Sequence, residues 1–492
     1  MPFRSLLVTL LLACLALSPA RGRDRDRRPR DRDDEVESPP EVVNARSQAQ
    51  SAYQQGDFAK AIELSDWLIA RFPEDHVYVP YYLRGSAKVE LGQRQRSPKL
   101  LREGIADARQ AILLEGQRYP RLHVPYVYGL SSLATLERRP EHADMAIKVV
   151  TPLLSLPQTE DYPADDRANL YYQRGVAYAA KRDLKAAAAD YAEAIKISPD
   201  HLGACIKRAE TLAALGQPAQ ALAAYDEAVS RFPNSLLVFN ERGSFRKSNG
   251  DLDGAISDFT RSLQIDPRMA VGYLNRGSCL VDRNEPLAAE ADFSEALKFA
   301  ADTGTRILAL RLRGSARLAQ GNAKGALVDF SEALRTNPQD GAINEERALA
   351  HFFARNFTVA AADFEHAAKV NPQATHLVLW QALSLARAGQ TSDAKALLAT
   401  AMAGKSPPTG WTAKIVRFLL DQGSEEELLA AAGGDSRTRN RQLSEAHYFA
   451  GQKQLLHENA AAAEQHFREA IALNDYLSPS FRGSRYELGD FK

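Results

Sequence analysis

Residues 168–199 read ANLYYQRGVAYAAKRDLKAAAADYAEAIKISP, and residues 236–267, two periods on, read LLVFNERGSFRKSNGDLDGAISDFTRSLQIDP. A basic–small pair marks every period: Arg174-Gly175, Arg208-Ala209, Arg242-Gly243, Arg276-Gly277, Arg313-Gly314 and Arg347-Ala348, in steps of 34, 34, 34, 37 and 34 residues. Other columns keep step. Ala187, Ala221, Ala255, Ala289, Ala326 and Ala360 follow 12 residues after the small residue of each pair. Four further on stand Tyr191, Tyr225, Phe259, Phe293, Phe330 and Phe364, and a proline (199, 233, 267, 338, 372) closes five of the six periods. A fixed period of this size marks a repeat array rather than a single globular core.

Each period divides into two helical patterns. With Ala168 as position 1, small or apolar residues at 4, 8 and 11 share one helical face, and those at 20, 24 and 27 share another. A polar break such as Lys181-Arg182-Asp183 or Ser248-Asn249-Gly250 parts the two, and the proline at 32 ends the second because it cannot continue a helix interior. Small residues at 8 and 20 let two helix axes approach, and the aromatic at 24 fills the layer between them. A hairpin of this kind cannot cover its own apolar face, so neighbours must stack. The expected fold is all-α, a solenoid of stacked antiparallel helix pairs.

The residues at 8, 20, 24, 27 and 32 resemble the tetratricopeptide repeat family. The sequence departs from that family's pattern at position 4, which is degenerate, and at position 7, where arginine stands in place of the usual leucine. The resemblance implies a right-handed superhelix and a scaffold whose concave groove holds another polypeptide. Carried over residue by residue, the implied groove residues are Tyr172, Asn240, Ser244, Lys247, Arg311, Glu345 and Phe352. The Lys and Asn set with which some members clamp a chain-terminal carboxylate is not reproduced.

The rest of the chain is ordered around the array. Residues 1–22 read as a secretory signal, with Arg4, an apolar run from Leu6 to Leu17 and a small-residue site at Ser18-Pro19-Ala20 or Ala20-Arg21-Gly22. Leu11-Leu12-Ala13-Cys14 offers the alternative of a lipoprotein signal with Cys14 lipidated. Residues 23–41, rich in Arg, Asp and Glu, carry too little apolar surface to fold and read as a disordered linker. Divergent units are expected over 42–156 and regular ones over 168–404. An irregular helical segment follows over 405–443, and a last unit with a terminal capping helix over 444–492.

Sixteen residues after the arginine of the pair comes an aspartate in five regular units: Arg174 and Asp190, Arg242 and Asp258, Arg276 and Asp292, Arg313 and Asp329, Arg347 and Asp363. Where the arginine is lost the aspartate goes too, as at Gln381 with Leu397, so the two are expected to meet across the hairpin as an ion-paired fork. Chemistry is otherwise sparse. There is no HExxH, no Cys-x-x-Cys and no glycine-rich phosphate loop, and His447, His457 and His466 have no evident ligand partners. No catalytic residue, cofactor or metal is expected. With 62 basic and 62 acidic residues, no net field draws the chain to nucleic acid or anionic lipid. Cys205 and Cys279 read as core residues rather than a bridge. The expected function is an exported scaffold, periplasmic or secreted, that binds proteins or peptide segments at the cell envelope. Membrane association would come only through the signal segment or Cys14. The alternative is a non-catalytic accessory subunit of an envelope enzyme system for glycans or proteolysis.

Overall fold

The computed structural model describes residues 39–72, 78–115, 119–157, 162–404 and 406–489. The signal, Cys14 and nearly all of the charged linker therefore lie outside the described residues. Five of the described turns between paired helices follow one local rule. A residue with positive φ (Gly56, Arg182, Gly250, Gly321, Glu458) precedes an Asp or Asn whose side chain accepts the backbone N–H three residues on. The first residue reverses the chain and the second caps the next helix, as at Asp57, Asp183, Asp251, Asn322 and Asn459.

The chain clusters into two compact units, Met1–Arg242 and Gly243–Lys492. The first contains α1 (Pro40–Gln54), α2 (Phe58–Arg71), α3 (Tyr78–Gln95), α4 (Pro98–Glu115), α5 (His123–Glu137), α6 (Pro140–Leu154), α7 (Ala164–Ala180), α8 (Leu184–Ile197), α9 (Leu202–Ala214) and α10 (Pro218–Arg231). The boundary falls within α11 (Leu236–Ser248). The second contains α12 (Leu252–Ile265), α13 (Ala270–Asp282), α14 (Pro286–Phe299), α15 (Thr303–Ala319), α16 (Ala323–Thr336), α17 (Gly341–Phe353), α18 (Phe357–Val370), α19 (Leu377–Arg387) and α20 (Thr391–Ala403). It ends with α21 (Gly410–Leu419), α22 (Glu425–Ala430), α23 (Ser436–Leu456), α24 (Ala460–Ala472) and α25 (Pro479–Leu488). Among the described residues there is no strand, and no helix is long and apolar enough to cross a membrane.

Within each unit the helices pair in chain order, and each pair stacks on the next. The core of a pair is the aromatic at position 24 lying on the small residue at position 8. A Cβ added to Gly175 would sit 2.7 Å from the Tyr191 ring, and one on Gly277 or Gly314 would sit 2.6 Å from Phe293 or Phe330. The ring thus occupies the space that the missing side chain leaves. First helices of neighbouring pairs also touch one another directly, as α5 does α7 and α13 does α15, while second helices pack on the first helices either side of them. The first helices therefore line the inner side of each unit.

Candidate functional site

The arginine column lies in the seam between the two helices of a pair. Arg174 donates through Nε and Nη2 to both oxygens of Asp190, each at 2.7 Å. Arg276 does the same to Asp292 at 2.8 and 2.7 Å, Arg313 to Asp329 at 3.0 and 2.6 Å, and Arg347 to Asp363 at 2.8 and 2.7 Å. In the divergent region Arg84 forks to Asp107 at 2.8 and 2.5 Å. For the remaining pair, Arg242 reaches Asp226 at 2.7 Å and Asp258 accepts from Arg246 at 3.0 Å. All of these aspartates except Asp226 are buried, so the guanidinium satisfies a carboxylate that water does not reach.

The third guanidinium nitrogen has a separate task. Nη1 of Arg174 donates to Thr151, that of Arg276 to Thr260, that of Arg313 to Ser294 and that of Arg84 to Asp66. Each of those residues, like Asp226, sits on the second helix of the preceding pair. One arginine thus holds its own hairpin in register and stitches it to the hairpin before.

The implied groove residues do not share one surface. Tyr172 is buried, its ring 4.8 Å from His201 and 5.8 Å from Tyr191. Asn240 is buried and donates to Leu236 O of its own helix at 2.9 Å. Phe352, 2% exposed, packs edge-on to Phe353, Phe357 and Trp380 and belongs to the core. These three are corrected to packing positions, because neighbouring inner helices lie close enough to cover them. Of the others, Ser244 is exposed and Arg311 half-buried, Lys247 pairs with Asp282 at 3.3 Å, and Glu345 pairs with His376 at 3.0 Å.

Family models described as tetratricopeptide repeat match residues 178–238 and 345–407. Both stretches carry tetratricopeptide repeats. A human relative, DnaJ homolog subfamily C member 7, is 26% identical over 192 residues, which cover 36% of this chain and 37% of that protein. The match thus spans about a third of the relative's length. Among solved structures, a tetratricopeptide repeat protein from Parabacteroides merdae is 15% identical over 60% of this chain and 98% of its own, with a TM-score of 0.36. YrrB, described as having an unusual peptide-binding site, is 23% identical over 41% of this chain and 95% of its own, with a TM-score of 0.29.

The last helix of the repeat protein departs from a simple end cap. It packs on α24 and also lies along the inner side of the second unit. Tyr476 Oη donates to Asp282 O at the end of α13 at 2.6 Å, and Tyr486 Oη donates to Leu318 O near the end of α15 at 3.1 Å. The Tyr486 ring stacks on Phe353 of α17 at 4.7 Å. Glu487 accepts from Arg387 of α19 at 2.7 Å and from Gln452 of α23 at 3.0 Å, with Arg355 at 3.4 Å. Sequence reasoning had no means to find this, since the partners lie 168 and 194 residues away for the two tyrosines.

His447 and His466, which the sequence leaves without partners, meet Nδ1 to Nδ1 at 3.2 Å, and Glu425 lies 3.3 Å from His466 Nε2. One ring must donate and the other accept, so burial and the facing imidazole push the His447 pKa down. Among the described residues no group of three or more His, Cys, Asp or Glu is arranged to hold a metal ion. Cys205 and Cys279 are free and buried, and burial pushes both thiols up to about 11.

Proposed function

We propose that the repeat array is a scaffold that holds segments of other proteins against its inner helices, and that it does so after export, at the cell envelope. One observation carries the binding half. The inner side of the second unit seats a short helix through tyrosine–carbonyl, arginine–carboxylate and aromatic contacts, so it has the donors, acceptors and apolar floor that helix recognition requires. Support for export is Arg4 followed by the apolar run Leu6–Leu17 and the small residues at 18–20.

The binding half is tested by cross-linking and co-purification of the tagged full chain, then by titrating the purified partner against wild type and Arg311→Glu. The variant is expected to weaken binding at least tenfold. No recoverable partner, or binding indifferent to charge on the inner helices, would overturn the reading. Export is tested by amino-terminal sequencing of the chain from each cell fraction. A mature start after residue 20 or 22 supports it, and an intact Met1 confined to the cytoplasm does not.

A further inference from the structure

In a stacked array each repeat touches only its neighbours. The segment 476–487 breaks that rule, because it reaches α13, α15, α17, α19 and α23, all of them inner helices. An end cap would cover the last pair and stop there. This helix lies where a ligand of the array would lie.

The manner of attachment is as informative as the place. In α24 the buried residues Ala463, Phe467 and Ala470 make the apolar stripe of an integral repeat helix. In α25 they are Ser480, Phe481, Gly483 and Ser484, and Tyr486 and Leu488 pack part-buried against the core of the second unit. Polar contacts share the hold with the Tyr486–Phe353 stack: Tyr476 and Tyr486 on carbonyls in the last turns of inner helices, and Glu487 on Arg387 and Gln452. Burial pushes the Arg482 guanidinium below its usual range, and the Glu346 and Glu345 carboxylates of α17 offset only part of that. A partner helix carrying the same groups can satisfy each of those contacts and re-cover Phe353 and Tyr448, so one occupant can replace another without leaving them unpaired. The helix has 10 residues, shorter than the roughly 12–15 an isolated helix needs to persist in water, so a detached α25 unravels and re-forms only on docking.

We infer that α25 is an exchangeable occupant of the inner face of the second unit, keeping it closed until a partner helix of the same chemistry replaces it. That chemistry is specific. The incoming helix presents a residue without a side chain over Tyr448 and a tyrosine–glutamate pair three and four positions after it. A Cβ on Gly483 would come within 2.6 Å of the Tyr448 ring, so a larger residue at that place is refused. The inference rests on the scaffold reading and narrows it to one face and one kind of segment.

The test uses the full chain, wild type and Tyr486→Ala/Glu487→Gln, with a labelled synthetic peptide of residues 475–489 as probe. Hydrogen exchange in the wild type is expected to show amides 479–488 opening on the order of a hundredfold faster than those of α17 and α19. The double variant is expected to bind the peptide at least tenfold more tightly than wild type, with protection at Asp282 and Leu318, and a scrambled peptide is expected to fail. Exchange of α25 in one cooperative unit with α17 and α19 overturns the proposal, and so does equal binding of the scrambled peptide. A dimer formed by swapping α25 between copies, seen by light scattering, overturns the partner in favour of a second copy. Should the variant lose its helical signal, the wild-type exchange decides alone. A docked, immobile α25 in a chain that still binds its partner sinks only this inference. A mobile α25 in a chain with no partner sinks the scaffold reading instead.

Discussion

Asp329 is 0% exposed and takes hydrogen bonds from Arg313 at 3.0 and 2.6 Å and from Arg317 at 2.8 Å. Asp329→Ala leaves the Arg313 guanidinium without its carboxylate, while Arg317 keeps Glu290 at 2.7 Å. The expected loss is about 3 kcal/mol in urea unfolding, and Arg313→Leu/Asp329→Leu should recover most of it, because removing both charges removes the uncompensated one. A second residue-scale effect concerns Glu90, 4% exposed beside Tyr53 and Tyr128, whose pKa burial raises from 4.5 to about 7. The folded state keeps this proton where the unfolded chain has lost it. Its contribution is fully present below pH 4.5 and disappears as pH rises through about 7. Burial pushes His201 down to about 4, which acts with the opposite sign over an overlapping range, so the wild-type trend alone is blunted. The informative quantity is the difference between Glu90→Gln and wild type. It is expected to grow in the variant's favour from pH 4.5 to 7.5 by roughly 2–3 kcal/mol, measured by thermal unfolding at matched salt. The Arg–Asp match was legible in the sequence because both partners sit at constant spacing within one hairpin. The stitch from Nη1 was not, since Thr151, Thr260 and Ser294 come near only when hairpins stack.

At the scale of the helix pair, the turn decides where one helix ends and the next begins. Glu458 holds φ at +60° in a position that Gly56, Gly250 and Gly321 fill elsewhere. A side chain in the left-handed region costs about 1–2 kcal/mol, part of which glycine gives back as unfolded-chain entropy. Glu458→Gly is therefore expected to stabilise the last pair by about 0.5–1 kcal/mol, read as slower local hydrogen exchange in α23 and α24. Gly314→Val acts in the opposite direction. Its Cβ would start 2.6 Å from the Phe330 ring in a filled layer, and overpacking there should cost about 2–3 kcal/mol in urea unfolding. Ala209 and Ala348 occupy the same register place, so the layer has room for a single methyl there.

At the scale of the whole molecule, 62 basic and 62 acidic residues leave no net charge, and the forks that join its hairpins are largely buried. Screening acts on exposed pairs, which are worth little, and hardly on buried ones. The thermal midpoint is accordingly expected to move by no more than a few degrees between about 0.05 and 0.5 M salt. A large fall would show that exposed pairs carry the fold.

The period, the small–aromatic layer and the Arg–Asp register were all determined by the sequence alone, because each depends on residues less than one repeat apart. Two things were decided only by tertiary structure. Tyr172, Asn240 and Phe352 turned out to be packed rather than presented, because closeness of successive inner helices is a property of stacking. The course of α25 along α13 to α23 joins residues far apart in the chain through hydroxyls, carbonyls and one aromatic stack, and such contacts leave no periodic trace in sequence.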